Sequence, residues 1–315
     1  MTASGRPDEL QEIAFWSGGL ECAADLYLQP STGPHPSLVL GSGWNQTKES
    51  LIHESRYLFN AGYNVMTIDY RTLGKSAGAP RGQIYPRRQV EDLRNAITYL
   101  GRRPEVDAKR IGLYGVSFGG GVALQTAAFD RRVRACVAQS PITNGRKWMR
   151  ELRNAYEYNV LLNELEEDFA NSYGSNPAGG KAVNFAGKSA VFVQPEIRAE
   201  TPPYNPDNPN PCSYPLHCQP SFNDQVYFES VRRAIDFNPS DVVDMIAPRP
   251  LLILCNAGGP YDPLHPPELI QELYAMAGEP KEMAFLPYNA HGLYQEPGRG
   301  EAMAAAIAFY DKHLK

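Results

Sequence analysis

A serine set between two glycines, Gly115-Val116-Ser117-Phe118-Gly119, is the segment of this chain best suited to covalent chemistry. An apolar run, Ile111–Tyr114, precedes it and a helical stretch, Phe118–Phe129, follows. A tight turn from strand to helix needs small neighbours around the serine. The turn lifts the hydroxyl above the strand ends and leaves the Phe118 N–H at a helix N-terminus, where developing negative charge is stabilised. The chemistry this allows is attack on a carbonyl carbon, with an acyl group carried on Ser117. The competing interpretation is a glycine-rich turn with an incidental serine, so the partners decide.

A serine hydroxyl is a weak nucleophile until a base takes its proton. Of the six histidines, His291 and His313 lie beyond the last apolar strand-like run, and His313 is two residues from the end of the chain. His291 follows Met283–Leu286 through Pro287-Tyr288-Asn289-Ala290 and is the expected base. His265, in Pro263-Leu264-His265-Pro266, is expected to be a surface or cap-facing residue. The acid that orients the base and stabilises its imidazolium is expected to be Asp262, after the run Leu251–Cys255. Its alternative role is to cap the next helix. Asp241 and Asp244 precede that run and would sit at the other end of the sheet. A tetrahedral intermediate needs two N–H donors. Phe118 supplies one, and Trp44, in Gly41-Ser42-Gly43-Trp44, is expected to supply the other.

These residues must be carried by elements that bring them to one edge. Apolar runs alternate with helical periods: Ile13–Phe15 and Ala23–Leu28 as an opening hairpin, Ser37–Leu40, helix Glu49–Asn60, Val65–Ile68, helix Arg88–Leu100, Ile111–Tyr114, helix Phe118–Phe129 and Val133–Ala138. The rhythm resumes at Pro250–Cys255 with helix Glu268–Ala277, strand Met283–Leu286 and a closing helix Glu301–Leu314. Such alternation predicts an α/β fold: a mostly parallel central sheet flanked by helices. Between the two parts, Arg146–Ala170 is a long charged helical stretch, and residues 171–224 are rich in Gly, Pro, Asn and Tyr, with Ala190–Val193 as the one strand candidate. The expected organisation is a core of residues 1–141 and 239–315 and a cap inserted at 142–238. The cap aromatics, Trp148 and Tyr204 among them, together with Tyr261, are candidates for contact with substrate.

Composition narrows the function. Hydrophobic residues are 43% of 315, enough for a full core, and the net charge of −5 gives no basic footprint for nucleic acid. The opening residues MTASGRPDEL lack an apolar signal segment, and no run of 18 apolar residues occurs, so a cytoplasmic location off the membrane is expected. Five cysteines without a secretory signal argue against a disulfide framework. Cys22, Cys136 and Cys255 fall in apolar runs, while Cys212 and Cys218 share a proline-rich segment and are expected to be free thiols, a local disulfide or half of a metal site being the alternatives. No His, Cys and carboxylate cluster has metal-ligand spacing, so no metal or organic cofactor is expected. The expected partner is a small-molecule substrate, and a homodimer is the one protein association left open.

Taken together, the motifs resemble the α/β-hydrolase superfamily, and within it the dienelactone-hydrolase-like and acetyl-esterase-like branch, some members of which act on polyketides. The carriers are Gly43-Trp44-Asn45-Gln46-Thr47-Lys48-Glu49, Asp69-Tyr70-Arg71-Thr72-Leu73-Gly74-Lys75-Ser76-Ala77-Gly78, Pro104-Glu105-Val106-Asp107, and Arg110 through Gly120. Asp130-Arg131-Arg132-Val133 and the segments holding Asp262 and His291 complete the match. The resemblance implies Ser117, Asp262 and His291 as a catalytic triad, in that order along the chain, with the Phe118 and Trp44 amides as oxyanion hole. Ser42-Gly43 stands where relatives often carry His-Gly.

The function expected is a serine hydrolase acting on a carboxylic ester or lactone. Acyl transfer from the same acyl-serine, or cleavage of an amide, thioester or carbon–carbon bond, are the alternatives. A non-catalytic binding module is a third class, opposed by the presence of serine, acid and histidine in order. Dehalogenase and epoxide-hydrolase chemistry needs Asp at position 117, and a prolyl-oligopeptidase-type enzyme needs a large gating domain for which the chain is too short.

Overall fold

The computed structural model describes residues 10–171, 182–184, 225–258 and 262–315. Tyr204, Tyr261, Cys212, Cys218 and the strand candidate Ala190–Val193 lie outside the described residues, as does the side chain of His291.

The chain opens on a hairpin. β1 (Leu10–Ser17) pairs antiparallel with β2 (Leu20–Tyr27), Ser17 opposite Leu20. The two residues between them, Gly18 and Gly19, both have positive φ, 54° and 78°. A tight two-residue hairpin demands that conformation, and glycine adopts it without steric cost. β3 (His35–Gly41) enters the middle of the sheet. A short 3-10 helix, Lys48–Leu51, leads into α1 (Ile52–Asn60), where one helix Glu49–Asn60 is expected. β4 (Asn64–Ile68), α2 (Pro86–Leu100), β5 (Val106–Val116), α3 (Phe118–Phe129) and β6 (Val133–Gln139) complete the first part.

The expected helix Arg146–Ala170 is two helices, α4 (Gly145–Glu151) and α5 (Ala155–Asn171). The break is a reciprocal cap. The Glu157 N–H donates to Asn154 Oδ1 at 2.9 Å, and the Asn154 N–H donates to Glu157 Oε2 at 3.1 Å. Asn154-x-x-Glu157 is a capping-box spacing, which starts a helix rather than continuing one. A two-stranded antiparallel pair, β7 (Ala182–Asn184) with β8 (Gln225–Tyr227), precedes α6 (Phe228–Ile235) and a 3-10 segment, Pro239–Ile246. β9 (Leu251–Asn256), α7 (Pro267–Met276), β10 (Lys281–Leu286), a 3-10 turn His291–Tyr294 and α8 (Gly298–Leu314) close the chain.

The main sheet has eight strands in the order β1-β2-β4-β3-β5-β6-β9-β10. β3, β4, β5, β6, β9 and β10 run parallel, and only the β1–β2 and β2–β4 pairings are antiparallel. Two cores cover its faces. One gathers Leu93 and Ile97 of α2, Val122 and Leu124 of α3 and Ile270 of α7; the other gathers Leu58 of α1 and Met303, Phe309 and Tyr310 of α8. Burial on both faces explains the unbroken apolar strands Leu38–Leu40 and Leu251–Cys255. The parallel strands all present their carboxyl ends at one edge, which is where ligands of open α/β sheets bind. Gly41, Val116, Gln139 and Asn256 are the last residues of β3, β5, β6 and β9.

Candidate active site

Ser117 joins β5 to α3 with φ 57° and ψ −123°, outside the conformations an L-residue favours. Strain of this kind, on the order of 1–3 kcal/mol, persists only where surrounding contacts over-determine the backbone. Here they do. The Ser117 N–H donates to Gln139 O at 2.9 Å, and its carbonyl accepts from Ile142 N at 3.0 Å and Gly121 N at 3.2 Å. The flanking glycines are sterically required. A Cβ on Gly119 would lie 2.2 Å from Ser42 O, and one on Gly115 would lie 2.3 Å from Gly119 O. The loop after β3 is thus pressed against the elbow.

That loop is braced by its own polar groups. Gly43 N–H donates to Gln46 Oε1 at 3.0 Å and Ser42 Oγ–H to Gln46 O at 3.0 Å. A Cβ on Gly43 would stand 3.3 Å from Ser117 Cβ, so this backbone passes directly beside the nucleophile candidate. Farther along, Lys48 N–H donates to Asp69 Oδ1 at 2.7 Å and Lys75 N–H to Asp69 Oδ2 at 2.8 Å. Burial pushes the Asp69 carboxyl up to about 7, against these two N–H bonds and Lys48, which favour its charge. The Lys48 ammonium itself pairs with Asp25 at 2.6 Å. The Asp69-to-Gly78 segment therefore anchors the far end of the Trp44 loop; the bracing roles of Gln46 and Asp69 went unread in the sequence, although both lie in the segments that carry the resemblance.

Trp44 and Phe118, the two expected amide donors, also pack their rings together, edge to face at 4.9 Å. Trp148 of α4 lies 5.6 Å from Trp44 and 5.8 Å from Phe118, and Phe237 lies 5.2 Å from Phe118. Trp148 is only 2% exposed. Its ring packs behind the elbow, against Trp44 and Phe118. Gly145 N–H donates to Phe237 O at 2.7 Å, tying the start of α4 to the segment after α6, and α6 is held to the core by the Ile84 N–H, which donates to Ser230 Oγ at 2.9 Å, and by the Tyr85 hydroxyl, which donates to Glu229.

Among the described side chains, the His265 imidazole reaches Ser117. Its Nε2 is 2.8 Å from Ser117 Oγ, and its Nδ1 is 3.3 Å from Asp262 Oδ2. With Nδ1–H turned to the carboxylate, Nε2 is left as acceptor for the Ser117 hydroxyl; the partners select that tautomer. Of the two expected places for His265, the surface or facing the cap, the surface is excluded: its side chain is 2% exposed. The one local signal is its spacing, three residues after Asp262, which a turn converts into contact. Asp262 shapes that turn. Its Oδ1 accepts from Leu264 N at 2.9 Å and its carbonyl from His265 N at 3.2 Å. It does not cap α7, which is preceded by Pro266 with no side-chain cap. His291 opens the 3-10 turn after β10, two elements downstream of Asp262. Among the described residues, no group of three His, Cys, Asp or Glu side chains could hold a metal ion.

Residues 18–196, more than half of the chain, match the family model described as X-Pro dipeptidyl-peptidase (S15 family). This chain belongs to the S15 family. Its fold is that of the α/β hydrolases, and it is an enzyme. The family match takes in the Trp44 loop and the Ser117 elbow but ends before Asp262, His265 and His291. Over 91% of its length, this S15-family chain is 26% identical to a polyketide transferase of Aspergillus fumigatus, covering 93% of that protein. It is 36% identical to a thiohydrolase of Aspergillus aculeatus over 45% of each chain. Among solved structures, an alpha/beta hydrolase from Penicillium sp. superposes with a TM-score of 0.76 over 97% of this chain and 99% of that one. At 22% identity that likeness shows the fold alone.

Proposed function

We propose that this enzyme cleaves an acyl substrate, a thioester or an ester, through an acyl group carried on Ser117, and passes the acyl group to water or to an alcohol. The observation that carries the proposal is the Ser117 hydroxyl, raised on an elbow at positive φ and 2.8 Å from an imidazole nitrogen with a carboxylate behind it. The amides of Phe118 and Trp44 would receive the oxyanion, each donor worth roughly 3 kcal/mol in the transition state. Asp262 would orient the base. Chain order assigns that base to His291, and the contact at Ser117 brings forward His265. Residues 142–238 would form the cap that selects the acyl group, with Tyr204 and Tyr261 as candidate contacts. The names of the relatives, a polyketide transferase and a thiohydrolase, favour a polyketide-type acyl thioester over a simple carboxylic ester.

A fluorophosphonate tests the nucleophile, because it reacts only with an activated serine. Intact mass should show one adduct, mapped to the peptide holding Ser117, and Ser117→Ala should lose both the adduct and all but background turnover. Acyl thioesters and nitrophenyl esters, assayed with and without an added alcohol, then separate hydrolysis from transfer. An adduct on another serine, or wild-type turnover by Ser117→Ala, would overturn the proposal.

A further inference from the structure

Two arginines from separate elements meet on one tyrosine. Arg88, in the first turn of α2, sets its guanidinium carbon 4.7 Å from the centre of the Tyr85 ring, and Arg233 of α6 sets its own at 4.3 Å. Tyr85 donates its hydroxyl to Glu229 Oε2, and Arg233 donates to Glu229 Oε1 from Nε at 2.9 Å and from Nη2 at 2.5 Å. The hydrogens on Arg233 Nη1 lie outside that pair. Arg88 has no carboxylate partner among the described residues, and Glu91, the next acid along α2, is taken by Arg71 at 2.5 Å. One carboxylate against two guanidinium groups leaves a net positive charge. Both side chains reach solvent, that of Arg233 by 49%. A guanidinium held by its face on a ring keeps its N–H edge free for an oxyanion. The cluster also stands at the edge that holds Ser117. α2 descends from that edge, because Leu93 in its second turn lies 3.6 Å from where a Cβ on Gly41, the last residue of β3, would be. Arg88, one turn earlier, is therefore above the strand ends. Ser230 seats α6 beside it, and Phe237, four residues after Arg233, packs its ring on Phe118 at 5.2 Å.

We propose that Arg88 and Arg233 form an anion subsite that grips the phosphate of a phosphopantetheine arm, the thiol carrier that brings the acyl group to Ser117. The proposal rests on the acyl-thioester reading above and deepens it. The phosphate diester takes N–H edges from both guanidinium groups. Tyr85 fixes the two arginines at one spacing, and Glu229 keeps Arg233 from swinging away. The uncharged remainder of the arm runs from this lip past Phe237 toward the elbow. An ester of a simple alcohol has no anion to place here. The subsite therefore selects substrates by their leaving group, independently of the acyl chain. Coenzyme A and acyl-carrier domains share the same phosphorylated arm, so the chemistry recognised is common to both.

Two uncleavable thioethers separate the charge from the rest of the arm: S-alkyl phosphopantetheine and S-alkyl pantetheine, titrated calorimetrically into the full chain. The wild type should bind the phosphorylated analogue at least about tenfold more tightly, the order expected of one or two charge-assisted hydrogen bonds. The ratio should shrink as ionic strength rises, because the site is exposed. Arg88→Gln should cut the ratio severalfold and melt as the wild type does, since Arg88 holds no ion pair. Adding Arg233→Gln should bring the ratio to about one. Arg131→Gln, which removes an exposed arginine just before β6 at the opposite edge, should keep the wild-type ratio. S-alkyl coenzyme A and the same arm on an acyl-carrier domain then tell the sources apart: whichever binds more tightly than free phosphopantetheine is the carrier, and either ranking keeps the phosphate contact. Equal affinity of the wild type for the first two analogues, or binding of neither, would remove the subsite, as would an unchanged ratio in the double variant. The analogues carry no cleavable bond, so this outcome is separate from the acyl-enzyme reading, which fails instead if Ser117 takes no fluorophosphonate.

Discussion

At the scale of single residues, the site depends on atoms that cannot be enlarged and on one carboxylate with two tasks. Gly115 and Gly119 leave no room for a Cβ, so the elbow tolerates no other residue there without shifting backbone. Asp262 both builds its loop, through the Leu264 N–H on Oδ1, and faces the His265 ring through Oδ2. Asn in its place can keep the first bond and loses the second, because an amide N–H₂ directed at Nδ1 favours the tautomer with hydrogen on Nε2. Asp262→Asn should therefore fold normally and lose turnover by roughly 10⁴-fold, the loss that the same change causes in the serine-protease triad. Steady-state kinetics beside a melting curve would check this; near wild-type kcat would remove Asp262 from the mechanism.

At the scale of elements, the elbow, the β3 loop and α4 meet in one aromatic cluster. Trp148 is expected from sequence to touch substrate, yet its ring packs against Trp44 and Phe118, the two residues whose amides would hold the oxyanion. Deleting a buried tryptophan typically costs about 3–5 kcal/mol. Trp148→Ala should lower the melting temperature clearly and reduce turnover of all acyl substrates together, because it loosens the wall behind the donors. A changed preference among acyl chain lengths at unchanged melting temperature would show the opposite, that Trp148 meets the substrate itself.

At the scale of the whole molecule, buried ionisable groups tie the site-bearing elements to the core. On α1, His53 lies beside Glu54, which pairs with Arg299 of α8 at 3.2 Å; Arg299 also donates to Tyr294 O in the turn that His291 opens. Burial, followed by the charges of Arg299 and Arg56, holds the His53 imidazole down at about 3 against an ordinary 6.5. Between those values the unfolded chain binds a proton that the folded chain refuses. The stabilisation is complete above pH 6.5 and is lost as pH falls from there toward 3. Thermal melting of wild type and His53→Gln across pH 8 to 4 should show the wild type losing stability faster than the variant below pH 6.5. Parallel curves would mean that His53 titrates normally in the fold. Burial likewise raises the Cys22 and Cys136 thiols to about 12 and Cys255 to about 11, so these three are core side chains rather than reactive ones.

What the sequence determined by itself is what neighbouring residues decide among themselves. The strand-to-helix turn at Ser117, the strands Leu38–Leu40 and Leu251–Cys255, the glycine hairpin at 18–19 and the amphipathic α2 are all written in stretches of about ten residues. Their signals are steric allowance and apolar period. The Asn154-x-x-Glu157 cap belonged to the same legible class and was masked by the long charged helical pattern around it. Tertiary structure alone decided that the His265 imidazole meets Ser117. His265 and Ser117 are 148 positions apart, and their contact depends on the β5-β6-β9 pairing and on a turn whose geometry Asp262 sets. It also decided that Trp148 faces inward, because an aromatic residue on a charged helix carries no local mark of which wall it will meet. Contacts between distant segments follow from how whole surfaces pack, and no spacing along the chain encodes that.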